Sequence, residues 1–338
     1  MYTYNILYIY IIFFFFLRDR VLLCHLGWSA VVPSYNVTIF HSAVFVLLGI
    51  PGLEAYHIWL SIPLCLIYIT AVLGNSILIV VIVMECNLHE PMYFFLSVLA
   101  ITDILLSTTT VPKALAIFWL HAHNIAVDAC VTQVFFVHMM FVGESAILLA
   151  MAFDPFVAFC APLRYTAVLT LPVVGRIALA IITRSFCIIF PVIFLLKRLP
   201  FCRTNIVHHS YCEHIGVARL ACDDITVNIW YGFSVPIVMV ILDVILIAEA
   251  QHKTLSTCGS HLCVILVFYV PSFFTLLTHH FGHNIPQHVH ILLANLYVVV
   301  PPMLNPIVYG VKTKQICEGF GTLSRLDRRQ KHRNLNTT

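Results

Sequence analysis

"IWLSIPLCLIYITAVLGNSILIVVIV", residues 58–83, is a long apolar run without a charged residue. A helix rises about 1.5 Å per residue and a bilayer core is about 30 Å thick, so about 20 such residues can cross it. Backbone groups in lipid must be satisfied within the segment, which favours a helix over the half-length, alternating strands of a barrel. This stretch therefore predicts a transmembrane helix.

The same kind of apolar segment recurs along the chain. The later segments lie near 93–118, 131–153, 177–196, 227–248, 262–278 and 288–311. Taken together, the segments predict an all-α membrane protein, a seven-transmembrane helix bundle embedded in a lipid bilayer.

Composition supports this fold class and excludes several functions. Of 338 residues, 61% are hydrophobic and only 10% are charged, whereas soluble chains carry about a quarter charged residues. The net charge of +3, without a basic patch interleaved with aromatics, argues against nucleic acid as a partner. No G-x-S-x-G, H-E-x-x-H or phosphate-loop lysine motif is present, so we expect no enzyme activity, no cofactor and no metal site.

The distribution of lysine and arginine predicts the orientation. If the amino terminus is outside, ten Lys and Arg residues lie in the inner loops and tail and six lie outside, which is the expected bias. Asn36, in Asn36-Val37-Thr38, is then a candidate glycosylation site on the outer segment. We predict an amino-terminal extension and extracellular segment at 1–37, a seven-transmembrane domain at 38–320 and a cytoplasmic tail at 321–338.

Residues 1–33 allow three interpretations. The run "MYTYNILYIYIIFFFFL" is apolar but only 17 residues long, and it has no basic residue before it. It could be an extension of no structural importance, a signal-anchor or an eighth helix. An eighth helix would place Asn36 in the wrong compartment or require a second crossing, so the first interpretation is preferred.

Polar residues inside the apolar segments form a second candidate site. Asn75, Asp103, Glu144 and Asn305 lie in the first, second, third and seventh segments, and Tyr309 follows close behind. Buried carboxylates repel each other unless they share a proton or a cation, so these residues could form an ion-dependent switch. They could equally serve as hydrogen bonds between helices.

Six motifs in order identify a family. They are "GNSILIV" in the first segment, "LHEPMYFFLSVLAITD" at 88–103, "MAFD" at 151–154, "KTLSTCGSHL" at 253–262, "HNIP" before the last segment and "PPMLNPIVYGVKTKQI" at 301–316. From Thr38 to Phe320 the chain resembles the olfactory receptors of the rhodopsin-like G-protein-coupled receptors. Within them it resembles the class I, fish-like group and its family 52.

The resemblance implies two disulfides. In the family, the cysteine at the outer end of the third helix bonds the middle cysteine of the long second outer loop, here Cys130 and Cys212. The outer two cysteines of that loop, here Cys202 and Cys222, bond each other. Such links would hold the loop over the mouth of the bundle.

The resemblance also implies a pocket for a small volatile odorant in the outer half of the bundle. The positions assigned to this pocket are His138, Val134, Phe141, Ile215, Tyr269, Leu276 and His280. The group often has an arginine where His280 stands and a glutamine where Ile215 stands. A histidine is a weaker partner for a carboxylate, so alcohols, aldehydes and ketones join aliphatic acids as candidate ligands.

Two departures from the family pattern concern coupling to a stimulatory G protein. Where the family has Asp-Arg-Tyr, this chain has Asp154, Pro155 and Phe156, so the arginine that meets the G protein is missing. The residues that prolong the fifth helix before "AQHK" at 250–253 are also missing, over a dozen of them. We expect either a working receptor at the plasma membrane or a degenerate, non-signalling protein that is retained in the endoplasmic reticulum or binds ligand silently. A transporter is less favoured, because the halves show no repeated, interrupted helices.

Overall fold

Six long helices account for most of the part of the chain that the structure describes. The computed structural model describes residues 44–85, 90–160, 169–252, 269–270 and 286–312. The long helices are α1 (His57–Met84), α2 (Pro91–Leu120), α3 (Val127–Cys160), α4 (Leu171–Lys197), α5 (Thr226–His252) and α6 (Gln287–Lys312). Each is long and apolar enough to cross a membrane. The chain is a multi-pass membrane protein.

These helices confirm the prediction of an all-α bundle. Each of six predicted segments lies within one helix, and the observed helices extend beyond the apolar runs at one or both ends. The segment predicted at 262–278 falls outside the described residues except for Tyr269 and Val270, which are helical. Asn36 and residues 1–33 also fall outside them.

The ends of α2 follow from local chemistry. The helix begins at Pro91, where a proline is tolerated because the first turn has no partner for its amide hydrogen. It ends where His121 adopts φ 50°, the left-handed conformation that often terminates helices. The Nζ atom of Lys113 then donates hydrogen bonds to the carbonyl oxygens of Ala122 and Asn124, each at 2.7 Å. These contacts hold the turn that leads into α3.

Close contact between α1 and α6 depends on a glycine. A Cβ atom at Gly74 would lie 2.9 Å from Cγ of Pro306, so a larger residue would push the helices apart. One residue later, Asn75 Nδ2 donates a hydrogen bond to the carbonyl oxygen of Pro302 at 2.8 Å. That oxygen is available because Pro306, four residues on, has no amide hydrogen to donate to it. The polar contact therefore stabilises the same close approach.

A small sheet lies at the end of the bundle that carries the loop between α4 and α5, here called the loop end. The sheet was not predicted from sequence. Its central strand, β1 (Val44–Leu47), pairs antiparallel with β2 (Asn124–Ala126) and parallel with β3 (Ile206–Val207). Phe45 and Leu47 on β1 are buried. The sheet ties the segment before α1 to two separate loops.

Two disulfides organise the loop end. Cys130 at the start of α3 is bonded to Cys212, and Cys202 is bonded to Cys222, the pairs implied by the resemblance. Between Cys212 and Cys222, residues His214–Ala218 form a short helix, here called the loop helix. Cys212 is also fixed through its backbone, because its amide donates to Oε1 of Gln133 at 2.8 Å. The middle of the loop is therefore anchored to α3 twice.

We predict that Cys130→Ser destabilises the protein far more than Cys65→Ser. The first change removes a link between residues 82 positions apart, which constrains the unfolded chain and is worth about 2–4 kcal/mol. Cys65 is a free cysteine on α1 and serves as the matched control. Thermal unfolding of the purified variants measures the difference, and equal unfolding temperatures would contradict the assignment.

Candidate functional site

A cavity of about 470 Å³ lies at the loop end, of a size suited to a small ligand. Its walls come from α3, α4, α5, α6 and the loop. Most of the wall residues are apolar, such as Ile188, Val192, Val235 and Met239. Polar side chains of the loop lie on one side and include His209, Glu213, His214 and Arg219; a second polar group lies at the other end of the cavity. The arrangement can hold an aliphatic molecule with one polar end.

The predicted pocket residues fall into three groups. His138, Phe141, Ile215 and Tyr269 line the cavity. Val134 does not line it; this residue is fully buried one turn before His138. Leu276 and His280 lie outside the described residues.

Gln133 is a structural residue that the sequence analysis missed. It lies one turn after Cys130 and is nearly buried. Its Oε1 accepts the Cys212 amide hydrogen, and its Nε2 donates to the carbonyl oxygen of Thr109 on α2 at 2.8 Å. The sequence feature that could have identified Gln133 is its position one helical turn after Cys130, a cysteine expected to form a disulfide. Gln133 joins α2, α3 and the loop above the cavity.

Histidines dominate the polar side of the cavity. His209 Nε2 lies 3.3 Å from Oε2 of Glu213. The rings of His138 and His214 meet edge to face with centroids 6.3 Å apart. Burial, together with the neighbouring His138, lowers the pKa of His214 to about 3, with a smaller opposing effect from Glu213. His214 is therefore neutral at physiological pH.

A buried carboxylate forms the other end of the cavity. Asp243 of α5 is fully buried, and its carboxylate accepts hydrogen bonds from Ser145 Oγ at 2.7 Å and from the Tyr269 hydroxyl at 3.1 Å. Arg184 of α4 lies 3.1 Å from the same carboxylate and supplies the opposite charge. We call Ser145, Arg184, Asp243 and Tyr269 the Asp243 cluster. It links α3, α4, α5 and the helical stretch at Tyr269.

Three members of this cluster, Ser145, Arg184 and Asp243, were not predicted from sequence. Arg184 and Asp243 are charged residues inside predicted apolar segments, which is costly in lipid and marks a functional or paired residue. Because the two side chains carry opposite charges and lie in consecutive predicted segments, an ion pair between them could have been predicted. Tyr269 was assigned only to the pocket, whereas it lines the cavity and also bonds Asp243.

The structure brings together some of the polar residues that were predicted to form an ion-dependent switch. Asn305 Nδ2 donates to both carboxylate oxygens of Asp103, at 3.0 and 3.1 Å. Glu144 is buried near them, and its carboxyl group interacts electrostatically with that of Asp103. Adjacent carboxyl groups require a shared proton or a cation. Asn75 is held by backbone oxygens of Ala71 and Pro302, and Tyr309 is buried.

The opposite end of α3 carries the altered Asp154 motif. Asp154 is buried, and the helix continues past it to Cys160. The proline at 155 therefore does not end the helix, although its missing amide hydrogen and ring would disfavour an interior position. The side chains of Pro155 and Phe156 lie outside the described residues.

The amino-acid sequence matches known proteins. A family model described as olfactory receptor matches residues 64–323. Olfactory receptor 52B2 of Homo sapiens is 86% identical over 300 residues, covering 84% of this chain and 93% of the relative. Olfactory receptors 52H1 and 52B4 of Homo sapiens are 58% and 52% identical, covering 83% and 85% of this chain and 95% and 96% of the relatives.

These matches extend over most of the chain and agree with the helical bundle. The olfactory receptors are rhodopsin-like G-protein-coupled receptors and are not enzymes. The chain therefore belongs to the olfactory receptor family, within its family 52.

Proposed function

We propose that this odorant receptor binds a small aliphatic molecule with one polar oxygen in the cavity beneath the loop. The observation that carries the proposal is the cavity itself, which has apolar walls and a polar side formed by loop residues such as His214. Apolar walls contribute through burial, about 25 cal/mol per Å² of apolar surface. The polar side would orient the oxygen of an alcohol, aldehyde or ketone.

Two positions make a carboxylic acid a less favoured ligand. Ile215 offers the cavity no hydrogen-bonding side chain, and His280 replaces the arginine that the family resemblance leads one to expect. A neutral histidine does not supply the fixed charge and two-pronged hydrogen bonding of arginine. Arg219 also reaches the cavity, so acids stay among the candidates.

We predict that His280→Arg raises affinity for short carboxylic acids by about tenfold relative to matched alcohols. The new guanidinium would provide a permanent charge and two parallel hydrogen bonds. Direct binding to the purified receptor measures the effect, which avoids any dependence on signalling. His279→Arg is the matched control at the neighbouring position, and equal gains for acids in both variants would contradict the role of position 280.

We also propose that coupling to a stimulatory G protein is impaired. The 300-residue alignment with Olfactory receptor 52B2 covers 84% of 338 residues, about 284, so about 16 aligned positions have no counterpart here. This supports the sequence-based inference that the stretch after Ala248 is short. Together with Pro155 it supports the alternative function, a non-signalling protein that binds ligand silently or is retained in the endoplasmic reticulum.

We predict that the unmodified chain gives little or no odorant-dependent cyclic AMP in cells. Pro155→Arg alone should not restore the response, because the missing stretch is a separate loss. Insertion of a family-length stretch between Ala248 and Glu249, combined with Pro155→Arg and Phe156→Tyr, should restore it. Surface labelling must show equal display of all variants. A strong response from the unmodified chain would refute impaired coupling.

The buried carboxyl groups support a further proposal about switching. Asp103 and Glu144, with Asn75, Asn305 and Tyr309, would hold a proton or a sodium-like cation that changes occupancy between receptor states. One oxygen each of Asn75, Glu144 and Asn305 has no hydrogen-bond partner among the described residues, which supports room for such an ion. The alternative is that these groups only link the helices.

The proposed location is the plasma membrane with the amino terminus outside. We predict that glycosidase treatment lowers the apparent mass of the protein and that Asn36→Gln abolishes this change. Asn336→Gln, which removes the sequon in the tail at Asn336-Thr337-Thr338, is the matched control and should leave the change intact. Dependence on Asn336 instead would reverse the proposed orientation.

A further inference from the structure

A buried asparagine at the start of α5 contacts the histidine that lines the cavity. Asn228 Nδ2 lies 3.3 Å from Nε2 of His214, and both residues are buried, each 3% exposed. The two residues come from different elements, since His214 begins the loop helix and Asn228 lies in the first turn of α5. The contact therefore sets the position of the histidine ring against the membrane helices.

This contact determines which ring nitrogen of His214 carries the proton. An amide nitrogen is a donor only, so Nε2 of His214 must accept and present its lone pair to Asn228. A neutral imidazole carries one proton, which then resides on Nδ1. The neutral form holds at physiological pH because burial and His138 lower the pKa of His214 to about 3.

The protonated Nδ1 lies beside a glycine in the cavity wall. A Cβ atom at Gly232 would lie 3.1 Å from Nδ1 of His214 and 3.2 Å from Cδ1 of Ile215. Gly232, His214 and Ile215 all line the cavity. In the described part of the chain no protein group hydrogen-bonds Nδ1. The absence of a side chain at position 232 keeps this N–H group from being covered.

We propose that Asn228 is a positioning residue that fixes His214 as an N–H donor toward the cavity, so that the receptor selects odorants with an acceptor oxygen over hydrocarbons of the same shape. The inference rests on the proposed function of the cavity. It specifies the polar end of the ligand more closely: a carbonyl oxygen accepts from Nδ1, whereas a hydrocarbon of the same shape leaves that donor unpaired.

A matched pair of probes tests the selection. 2-Octanone and 2-methyl-1-octene have the same shape, but only the ketone has an acceptor oxygen. In direct binding to the purified full-length receptor, the wild type should bind the ketone about threefold to tenfold more tightly. Asn228→Leu frees the ring to adopt either tautomer, and Gly232→Ala places a methyl group over Nδ1. Both variants should lose most of this preference.

Ser234→Ala is the matched control on the same helix. Ser234 is half-buried and does not line the cavity, and its hydroxyl bonds the carbonyl oxygen of Trp230. Its loss should leave the ketone preference intact. If both probes bind the wild type equally, or if Asn228→Leu retains the preference, the inference is wrong while the cavity stands as the binding site. If neither probe binds the wild type, the proposed function and the ligand selection both fail.

A measurement without ligand tests the tautomer directly. In receptor labelled with ¹⁵N-histidine, the resonances that disappear in His214→Phe belong to His214. They should show a protonated Nδ1 and an unprotonated Nε2 in the wild type, and a mixture in Asn228→Leu. A protonated Nε2 in the wild type would overturn the inference, even if Asn228→Leu folds poorly.

Discussion

The bundle depends most directly on the interactions of the buried Asp243 carboxylate with its hydrogen-bond and ion-pair partners. An ionised group without solvent access is stable only when opposite charge and hydrogen bonds surround it. Ser145, Arg184 and Tyr269 supply these from three other parts of the chain. Removing one partner from such a buried pair costs about 3–5 kcal/mol. The Asp243 cluster therefore specifies how α3, α4 and α5 meet, and it closes one end of the cavity.

The other end of the cavity is fixed by different means. The Cys130–Cys212 disulfide and the Gln133 contact hold the middle of the loop on α3, while the Cys202–Cys222 link closes its base. With both ends fixed, the distance between the histidines of the loop and Asp243 is set by the fold. A ligand in the cavity meets a prearranged surface, so little binding energy is lost in ordering it.

Much of this architecture could be predicted from sequence, because lipid requires long apolar helices. Six of the seven predicted segments match helices, and both disulfide pairs follow from the family resemblance. The strands at the loop end could not be predicted, since β1 has four residues and its partners lie far along the chain. Val134 does not line the cavity, because helical periodicity identifies a face of α3 but not which residues of that face border an open space.

Pairings between distant side chains were also hidden from sequence reasoning. Arg184 and Asp243 stand 59 residues apart, and Asn228 lies 14 residues after His214. In each pair the two residues belong to different elements, so no periodicity within one element joins them. Only the packing of α4, α5 and the loop helix brings these groups together. A charged residue in an apolar segment signals that a partner exists, yet the identity of the partner depends on the fold.

Ligand binding and coupling depend on residues at opposite ends of the bundle. The cavity, its disulfides and the Asp243 cluster all belong to the loop end and the middle of the helices. Pro155 and the stretch after Ala248, which we propose is shortened, lie at the other end, and α3 continues through Pro155 to Cys160. Losses there leave every described contact around the cavity in place. Under the proposed function, signalling would be lost before binding, because none of the cavity contacts among the described residues involves Pro155 or the stretch after Ala248.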